Sequence, residues 1–365
     1  MRLSTCFSPA FFRLPTVGRT VVAFLLLAIA GIAGFAPIAQ AATPKGELRL
    51  ITHSSFSLPQ PLLAQFEKQA GVKLVVIKAG DAGEMLNKLI LTKANPIADV
   101  VYGIDNTLAA KALAAGVLQS DTAAAAPASA NADPLALPTP LMAVDYGYVA
   151  LNYDKAAIAK KAMTLPTSLD DLALPAYQNT LAMPNPATSS TGYAFLLATI
   201  AAMGEEKAFA WWAKMRSNGI KVTKGWSEAY NTEFSRNGGA RPFVVSYASS
   251  PAAEVFYSKE KIDVSPTANL FLPGSVFKQV EAIAPIRGGS NPEATTAFIA
   301  FMRSPAVQQA LQTSMWMYPV ASTATREPVL LRHAQEPAAF ETLPLALIAE
   351  KGPGWVSRWT QVVLK

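Results

Sequence analysis

Apolar and polar residues follow two alternating spacings between residues 46 and 115. Short runs rich in Val, Leu and Ile at 48–52, 72–77 and 99–102 have the composition of β-strands. Between these runs, apolar residues recur every three or four positions at 62–70 and 84–90, as they do on one face of a helix. Strands that alternate with helices across short turns predict an α/β fold with a parallel sheet.

Polar residues follow each of these three strands. They are His53 with two serines, Asp81 in a Gly-Asp-Ala turn, and Asp105 in the turn 103–106. Ligands of parallel α/β sheets bind at the carboxyl ends of the strands. The pattern therefore predicts that one histidine and two carboxylates face the same cleft. Asp81 also precedes a helix, where aspartate is a favoured N-cap.

A second α/β region occupies the rest of the chain. An alternating, aromatic-rich run at 144–153 predicts a long strand, and the Ala/Pro-rich stretch 121–136 before it predicts a surface loop. The length of 365 residues agrees with two domains. The further predicted elements are strands at 180–183, 243–246 and 281–284 and helices at 168–172, 193–203, 292–302 and around Trp355 and Trp359.

The amino terminus has the pattern of an export signal. Arg2, Arg13 and Arg19 precede an apolar run at 21–36, and the run ends at 39–41 in Ala-Gln-Ala, a signal-peptidase pattern. We predict a cleaved signal peptide over 1–41, with an uncleaved membrane anchor as the alternative. The single cysteine lies inside this segment, and a cysteine-free exported chain fits the bacterial periplasm.

Composition and motifs exclude several classes of function. The chain is 51% hydrophobic and 15% charged, which excludes disorder. Without the three N-terminal arginines, 28 of the 31 basic residues remain against 25 acidic ones and form no run, so we expect no nucleic-acid partner. The motifs of nucleophile elbows, phosphate loops and dinucleotide sites do not occur, which indicates a protein that is not an enzyme. Two histidines and no exported cysteine indicate no metal site.

Three segments carry a family resemblance that extends over nearly all of the exported chain. The segments 224–230 (KGWSEAY), 246–252 (SYASSPA) and 316–320 (WMYPV) resemble bacterial periplasmic solute-binding proteins of the type II class, and within that class the thiamine-binding proteins of ABC importers. The resemblance implies a two-lobed α/β fold with a ligand cleft between the lobes. It also implies a monomeric receptor without a cofactor, which delivers its ligand to an inner-membrane ABC permease with a cytoplasmic ATPase.

The same resemblance implies lobe limits and site residues. The first lobe would comprise 44–146 plus 266–312, and the second 147–265 plus 313–365. Thiamine is an aromatic cation, so its site needs stacking surfaces and a carboxylate, and phosphate esters would also need backbone donors. The implied ligand contacts are Asp81, Ala82, Ser189, Ser190, Trp226, Tyr247, Ala248, Ser249, Ser250 and Trp316. The hydroxyl-rich turn before the helix at 193–203 offers an anion site at a helix N-terminus, independently of the resemblance. We expect the phosphate or hydroxyethyl end of the ligand at this turn.

The chain departs from the family pattern at two places. It has His53-Ser54 where the better-known thiamine binders carry Tyr-Asp, and Ala253 where they carry a tyrosine. The preference among thiamine, its monophosphate and its diphosphate therefore stays open. Another solute of the same fold, such as ferric ion, a polyamine or a phosphonate, is the alternative. Iron-binding relatives carry two adjacent tyrosines, whereas Ala248 follows Tyr247 here.

Overall fold

The structure is a computed structural model that describes residues 46–120 and 135–365. The predicted signal peptide and most of the loop predicted at 121–136 lie outside the described residues. The elements, in chain order, are β1 (Glu47–Thr52), α1 (Gln60–Ala70), β2 (Lys73–Lys78), α2 (Ala82–Leu91), β3 (Val100–Asp105), α3 (Ala109–Ala115), β4 (Met142–Asp154), α4 (Lys155–Lys160), α5 (Leu169–Leu172), β5 (Leu181–Pro184), α6 (Ser190–Met203), α7 (Glu205–Ser217), β6 (Lys221–Thr223), α8 (Trp226–Glu228), β7 (Phe243–Tyr247), α9 (Ser250–Phe256), β8 (Thr267–Leu270), β9 (Phe277–Pro285), α10 (Pro292–Met302), α11 (Pro305–Ser314), β10 (Tyr318–Pro319), α12 (Pro328–His333) and α13 (Leu345–Leu364). A π-helical turn, Ala229–Glu233, continues α8, and 3-10 turns lie at Pro175–Tyr177 and Ser235–Asn237.

The ten strands of the described residues form one continuous sheet, in which eight follow the order β2-β1-β3-β9-β4-β7-β5-β6 and β8 and β10 both pair with β4. We call β2, β1 and β3 the first half-sheet, and β7, β5 and β6 the second. Strands inside each half-sheet run parallel, as predicted, whereas β9 runs antiparallel to both β3 and β4.

Strand β4 connects the two half-sheets. It pairs with β9 from Met142 to Val149 and with β7 from Val149 to Tyr153. The long strand predicted at 144–153 is therefore confirmed. The described residues pack as one compact unit, so the lobe limits given above stay a prediction.

Several helices begin and end where the sequence pattern places them. The predicted limits 292–302 are those of α10, and α1 ends at Gly71, whose φ of 65° gives the left-handed C-cap. Helix α7 was not predicted, although it supplies Trp211 and Trp212 to the core, where Trp212 meets Trp359 of α13.

One prediction about the strand ends is wrong. Residues 103–105 do not follow the third strand but belong to β3, because Ile104 and Asp105 pair with β9 after a local shift in register. Asp105 is fully buried, and its carboxylate accepts hydrogen bonds from the backbone N–H groups of Thr107 and Leu108. It orders the turn before α3 and does not line the cleft.

Within residues 46–120 and 135–365, no helix is both long and apolar enough to span a membrane.

Candidate functional site

A cavity of about 670 Å³ opens between the turns that follow β1 and β2 and the helices of the second half-sheet. This volume lies in the range of small-molecule sites. The predicted contacts that line it are Asp81, Ala82, Ser190, Trp226, Tyr247, Ser249, Ser250 and Trp316. Ser189 and Ala248 are fully buried and do not line it. Ser189 caps α6, and the N–H of Ala248 donates to the carbonyl of Tyr148.

The carboxylate of Asp81 joins the two half-sheets at the inner end of the cavity. It caps α2 and accepts from the N–H of Ala82 at 2.7 Å, as predicted for an N-cap. It also accepts from the backbone N–H of Trp226 at 2.9 Å and of Ser190 at 3.3 Å, both in helices of the second half-sheet. Burial raises the pKa of Asp81, and hydrogen bonds from the N–H groups of Trp226 and Ala82 and from the hydroxyl of Ser189 oppose the rise. We call these contacts the Asp81 junction.

Two glycines allow the junction to close. A Cβ on Gly83 would lie 2.7 Å from the carbonyl oxygen of Thr188, and a Cβ on Gly225 would lie 2.8 Å from a carboxylate oxygen of Asp81. The N–H of Glu84 donates to the same Thr188 carbonyl at 3.1 Å. The backbones therefore approach to a distance that a larger side chain would prevent.

Tyr247 belongs to a buried polar network beside the junction. Its hydroxyl donates to the amide oxygen of Gln279 at 2.7 Å and lies 3.1 Å from the hydroxyl of Thr191. The amide nitrogen of Gln279 donates to Ser190 Oγ at 3.0 Å and to the Asp105 carboxylate. Tyr247 is thus fixed by hydrogen bonds while part of its side chain lines the cavity.

Trp226 is held on one side by a stacked ring. Its indole lies 5.3 Å from the ring of Tyr230 at an interplanar angle of 19°, and its Nε1 donates to Ser246 Oγ at 2.8 Å. Ser250 Oγ lies 2.9 Å from the same Ser246 hydroxyl. The predicted serine therefore helps to orient the predicted tryptophan.

Trp316 has a left-handed backbone, with φ of 60°. This conformation costs about 1–3 kcal/mol for a residue with a side chain and is enriched at active sites and ligand clamps. Ser249 Oγ donates to the Trp316 carbonyl at 2.6 Å and so holds this backbone. Ser249 is in this way a positioning residue for Trp316.

Sequence reasoning missed an acidic group at the floor of the cavity. Glu281 of β9 lines the cavity, lies in register with Asp145 of β4, and accepts a hydrogen bond from the hydroxyl of Tyr102 at 3.1 Å. Tyr102 also donates to Asp145. Burial and mutual repulsion raise the pKa of Asp145 well above its usual range, and burial raises that of Glu281. A lone acid within an apolar strand was the available sequence signal.

His53 lies next to this acidic group. Its Nε2 is 3.6 Å from Glu281 and has no hydrogen-bond partner among the residues that the structure describes. Burial lowers the pKa of His53 to about 4, although the charges of Asp81 and Asp105 oppose the shift. The imidazole is therefore neutral near pH 7.

The remaining charges of the cavity favour a cationic ligand. Arg236 and Lys224 line the cavity, but each is paired with an acid, Arg236 with Glu254 and Lys224 with Glu84. Glu84 and Glu254 are offset by these two bases, which leaves Asp81, Glu228 and Glu281 as cavity-lining acids without a salt bridge to Lys or Arg among the described residues. No group of three or more His, Asp or Glu within residues 46–120 and 135–365 is arranged to hold a metal ion.

A cavity lined by residues from both half-sheets agrees with the family to which the chain is similar. Residues 95–351 match the family described as bacterial extracellular solute-binding protein. The chain belongs to that family of solute-binding proteins.

Several individual proteins are similar to this chain over most of its length. The thiamine-binding periplasmic protein of Escherichia coli (strain K12) is 32% identical over 87% of this chain and 94% of its own length. A solved periplasmic thiamin binding protein is 31% identical, covers 87% of this chain and 96% of its own, and has a TM-score of 0.73. Iron-bound HitA from Pseudomonas aeruginosa shares the fold. It is 20% identical, covers 87% of this chain and 99% of its own, and has a TM-score of 0.67. The predicted two-lobed type II α/β fold is confirmed.

Proposed function

We propose that this protein is the periplasmic receptor of an ABC importer and that its ligand is thiamine. The observation that carries the proposal is the cavity itself, in which aromatic rings are combined with an excess of acidic side chains. A thiazolium cation is attracted both by aromatic faces and by carboxylates. The similarity to two proteins named for thiamine binding supports the same ligand.

The predicted contacts have separate roles in this proposal. Trp226, Tyr247 and Trp316 provide aromatic surfaces, and the acids provide the negative field. Asp81 and Ala82 form the inner wall, and Ser190 and Ser250 offer hydroxyl groups there. Ser189 and Ala248 do not touch the ligand. Ser189 caps α6, and Ala248 bonds to the backbone of Tyr148, so both hold the backbone beside the ligand contacts.

The phosphate esters of thiamine are weaker ligands in this proposal. The N–H of Ser190 at the start of α6, where we expected a phosphate, already donates to the Asp81 carboxylate. A phosphate at that position would have to replace a carboxylate of the protein. Thiamine itself meets no such competition, so we rank it above its monophosphate and diphosphate.

The wider role follows from the class of receptor. Segment 1–41 is removed on export to the periplasm, and the monomer closes over its ligand and docks on an inner-membrane permease that is driven by a cytoplasmic ATPase. The protein binds and releases its ligand unchanged, uses no cofactor or metal, and does not contact nucleic acid. Mass spectrometry of the protein from the periplasmic fraction tests cleavage after Ala41.

Calorimetric titration of the purified protein with thiamine, its two phosphates and Fe(III) tests the ligand, with tryptophan fluorescence followed in parallel. Submicromolar one-to-one binding of thiamine with a fluorescence change is the expected result. Trp226→Ala should weaken it by about 1–3 kcal/mol, while Trp226→Phe, which keeps a ring, loses less. Binding of Fe(III), a polyamine or a phosphonate without thiamine binding contradicts the proposal.

A further inference from the structure

Tyr257 lies at the mouth of the cavity and was not among the predicted contacts. It follows the last residue of α9, and its N–H still donates to the Ala253 carbonyl at 3.0 Å, so the helical turn continues to it. Its side chain is 63% exposed although it is a large ring that lines the cavity. An aromatic face open to a cavity is available to a ligand.

The ring of Tyr257 is held in place by Trp316. The two ring centroids are 5.6 Å apart at an angle of 69°, and the tyrosine hydroxyl lies 3.4 Å from Trp316 Nε1. The hydroxyl also lies 3.4 Å from the Thr313 carbonyl. We call Tyr257 and Trp316 the aromatic rim. Ser249 Oγ donates to the carbonyl of Trp316 and so holds the backbone that carries one ring of the rim.

The face of α9 that meets the cavity has a gap one turn before Tyr257. The cavity-lining residues of this segment, at 250, 253–254 and 257–258, follow helical spacing. Ala253 is the member of this face that has only a methyl group, and it is the position at which the family pattern has a tyrosine. Residues four apart on a helix lie on the same face, so Tyr257 extends from the face that Ala253 leaves open.

We infer that Tyr257 is a ligand-contacting, specificity-determining residue, which provides from position 257 the aromatic surface that Ala253 lacks. This inference rests on the proposed function, because the ligand that it requires is an aromatic cation. The phenol face stacks on the ligand at the mouth of the closed cavity, next to Trp316.

Phe256 provides a matched control. Its exposed ring contacts Tyr257 at 5.2 Å and Trp316 at 5.3 Å, yet it does not line the cavity. If Tyr257 only supported Trp316, removal of either ring would have the same effect. If Tyr257 touches the ligand, only its own removal weakens binding.

The test is calorimetric titration of the purified wild-type protein and variants with thiamine, with the folded state of each checked by thermal unfolding. We expect Tyr257→Ala to raise Kd by about 5- to 150-fold, and Tyr257→Phe and Phe256→Ala to change it by less than about threefold. Adding Ala253→Tyr to Tyr257→Ala should restore most of the lost affinity, which a merely structural role would not allow.

The outcomes separate this inference from the proposal on which it rests. Wild-type protein that does not bind thiamine overturns the proposed function and the role of Tyr257 with it. Wild-type binding that Tyr257→Ala leaves unchanged, or that Phe256→Ala weakens equally, overturns the role of Tyr257 alone.

Discussion

The two ends of the cavity are built in opposite ways. At the Asp81 junction, polar groups of one half-sheet are paired with backbone groups of the other at 2.9 to 3.3 Å. At the aromatic rim, Tyr257 and Trp316 form a T-shaped, edge-to-face pair, and Tyr257 stays mostly exposed. The junction therefore determines how the half-sheets close, whereas the rim keeps surface free for a ligand. Variants of the junction should change both closure and stability, and variants of the rim should change affinity alone.

The largest effect is expected from Asp81→Asn. The amide replaces one carboxylate oxygen by a donor that faces an N–H group, and the negative charge of the carboxylate is lost. We expect thiamine binding to weaken by about 2–4 kcal/mol in calorimetric titration. Asp99→Asn is the matched control, because Asp99 also accepts from backbone N–H groups, those of Arg49 and Ser290, but far from the cavity. Equal losses in the two variants would remove the special role of the junction.

The inner end should also be the part that depends on pH. The pKa of His53 is lowered to about 4 from an ordinary value of 6.5 because the imidazole is buried. Between these values the unfolded chain binds more protons than the folded protein, so stability falls as pH falls from 6.5 to 4. The loss amounts to roughly 3 kcal/mol, and His53→Gln should abolish it in urea unfolding at a series of pH values.

The neighbouring acids act in the opposite direction. Burial raises the pKa values of Asp81 and Glu281, so protonation of these two acids favours the folded protein as pH falls. Both groups are present in the wild type and in His53→Gln, and so is Lys78, whose charge also lowers the pKa of His53. The difference between the two pH profiles therefore reports His53 together with its charge effect on Asp81, and parallel profiles would show that His53 titrates normally.

Gly83→Ala tests the close approach directly. Its Cβ would lie 2.7 Å from the Thr188 carbonyl, so closure would require the half-sheets to separate. We expect thiamine affinity to fall by about 1–3 kcal/mol and the radius of gyration from X-ray scattering with saturating thiamine to increase. Gly354→Ala, which meets open space in α13, should change neither. If scattering and affinity are unchanged in Gly83→Ala, the Thr188 backbone can move away from the added methyl group without any change in closure.

The smallest effect is expected from Lys224→Gln. The ammonium of Lys224 lies 2.9 Å from Glu84 across the same junction, but the lysine side chain is 71% exposed. Water and salt screen such a pair. Thiamine Kd should change by less than about threefold, and the change should vanish in 1 M salt. A tenfold change would mean that the surface pair controls closure more than the buried carboxylate does.

Local patterns predicted the fold better than they predicted the site. The limits of α10 and the cap at Gly71 depend on neighbouring residues, so the sequence contains the information. The role of Asp81 depends on the N–H of Trp226, 145 positions away, and no local pattern contains that contact. Asp105 was misplaced for a similar reason, since its strand is extended by pairing with the distant β9.

Two residues of the site could be recognised only from the three-dimensional structure. Glu281 looked like an ordinary strand residue until β4 brought Asp145 opposite to it. Tyr257 looked like a surface aromatic residue just past a short helix, and only the turn containing Trp316 gives it a cavity to line. The motif residues could be found by resemblance, whereas Glu281 and Tyr257 lie outside the motif segments and are brought to the cavity by the fold.

The position of β9 between β3 and β4 has a consequence for the order of folding during synthesis. The edge of β3 that β9 covers stays unpaired until residues 277–285 have been made, although β3 itself ends at residue 105. An N-terminal portion of the chain therefore cannot complete its sheet early, and closing so long a loop is slow. The first half-sheet therefore stays incomplete until most of the chain has been made, which agrees with the export proposed above.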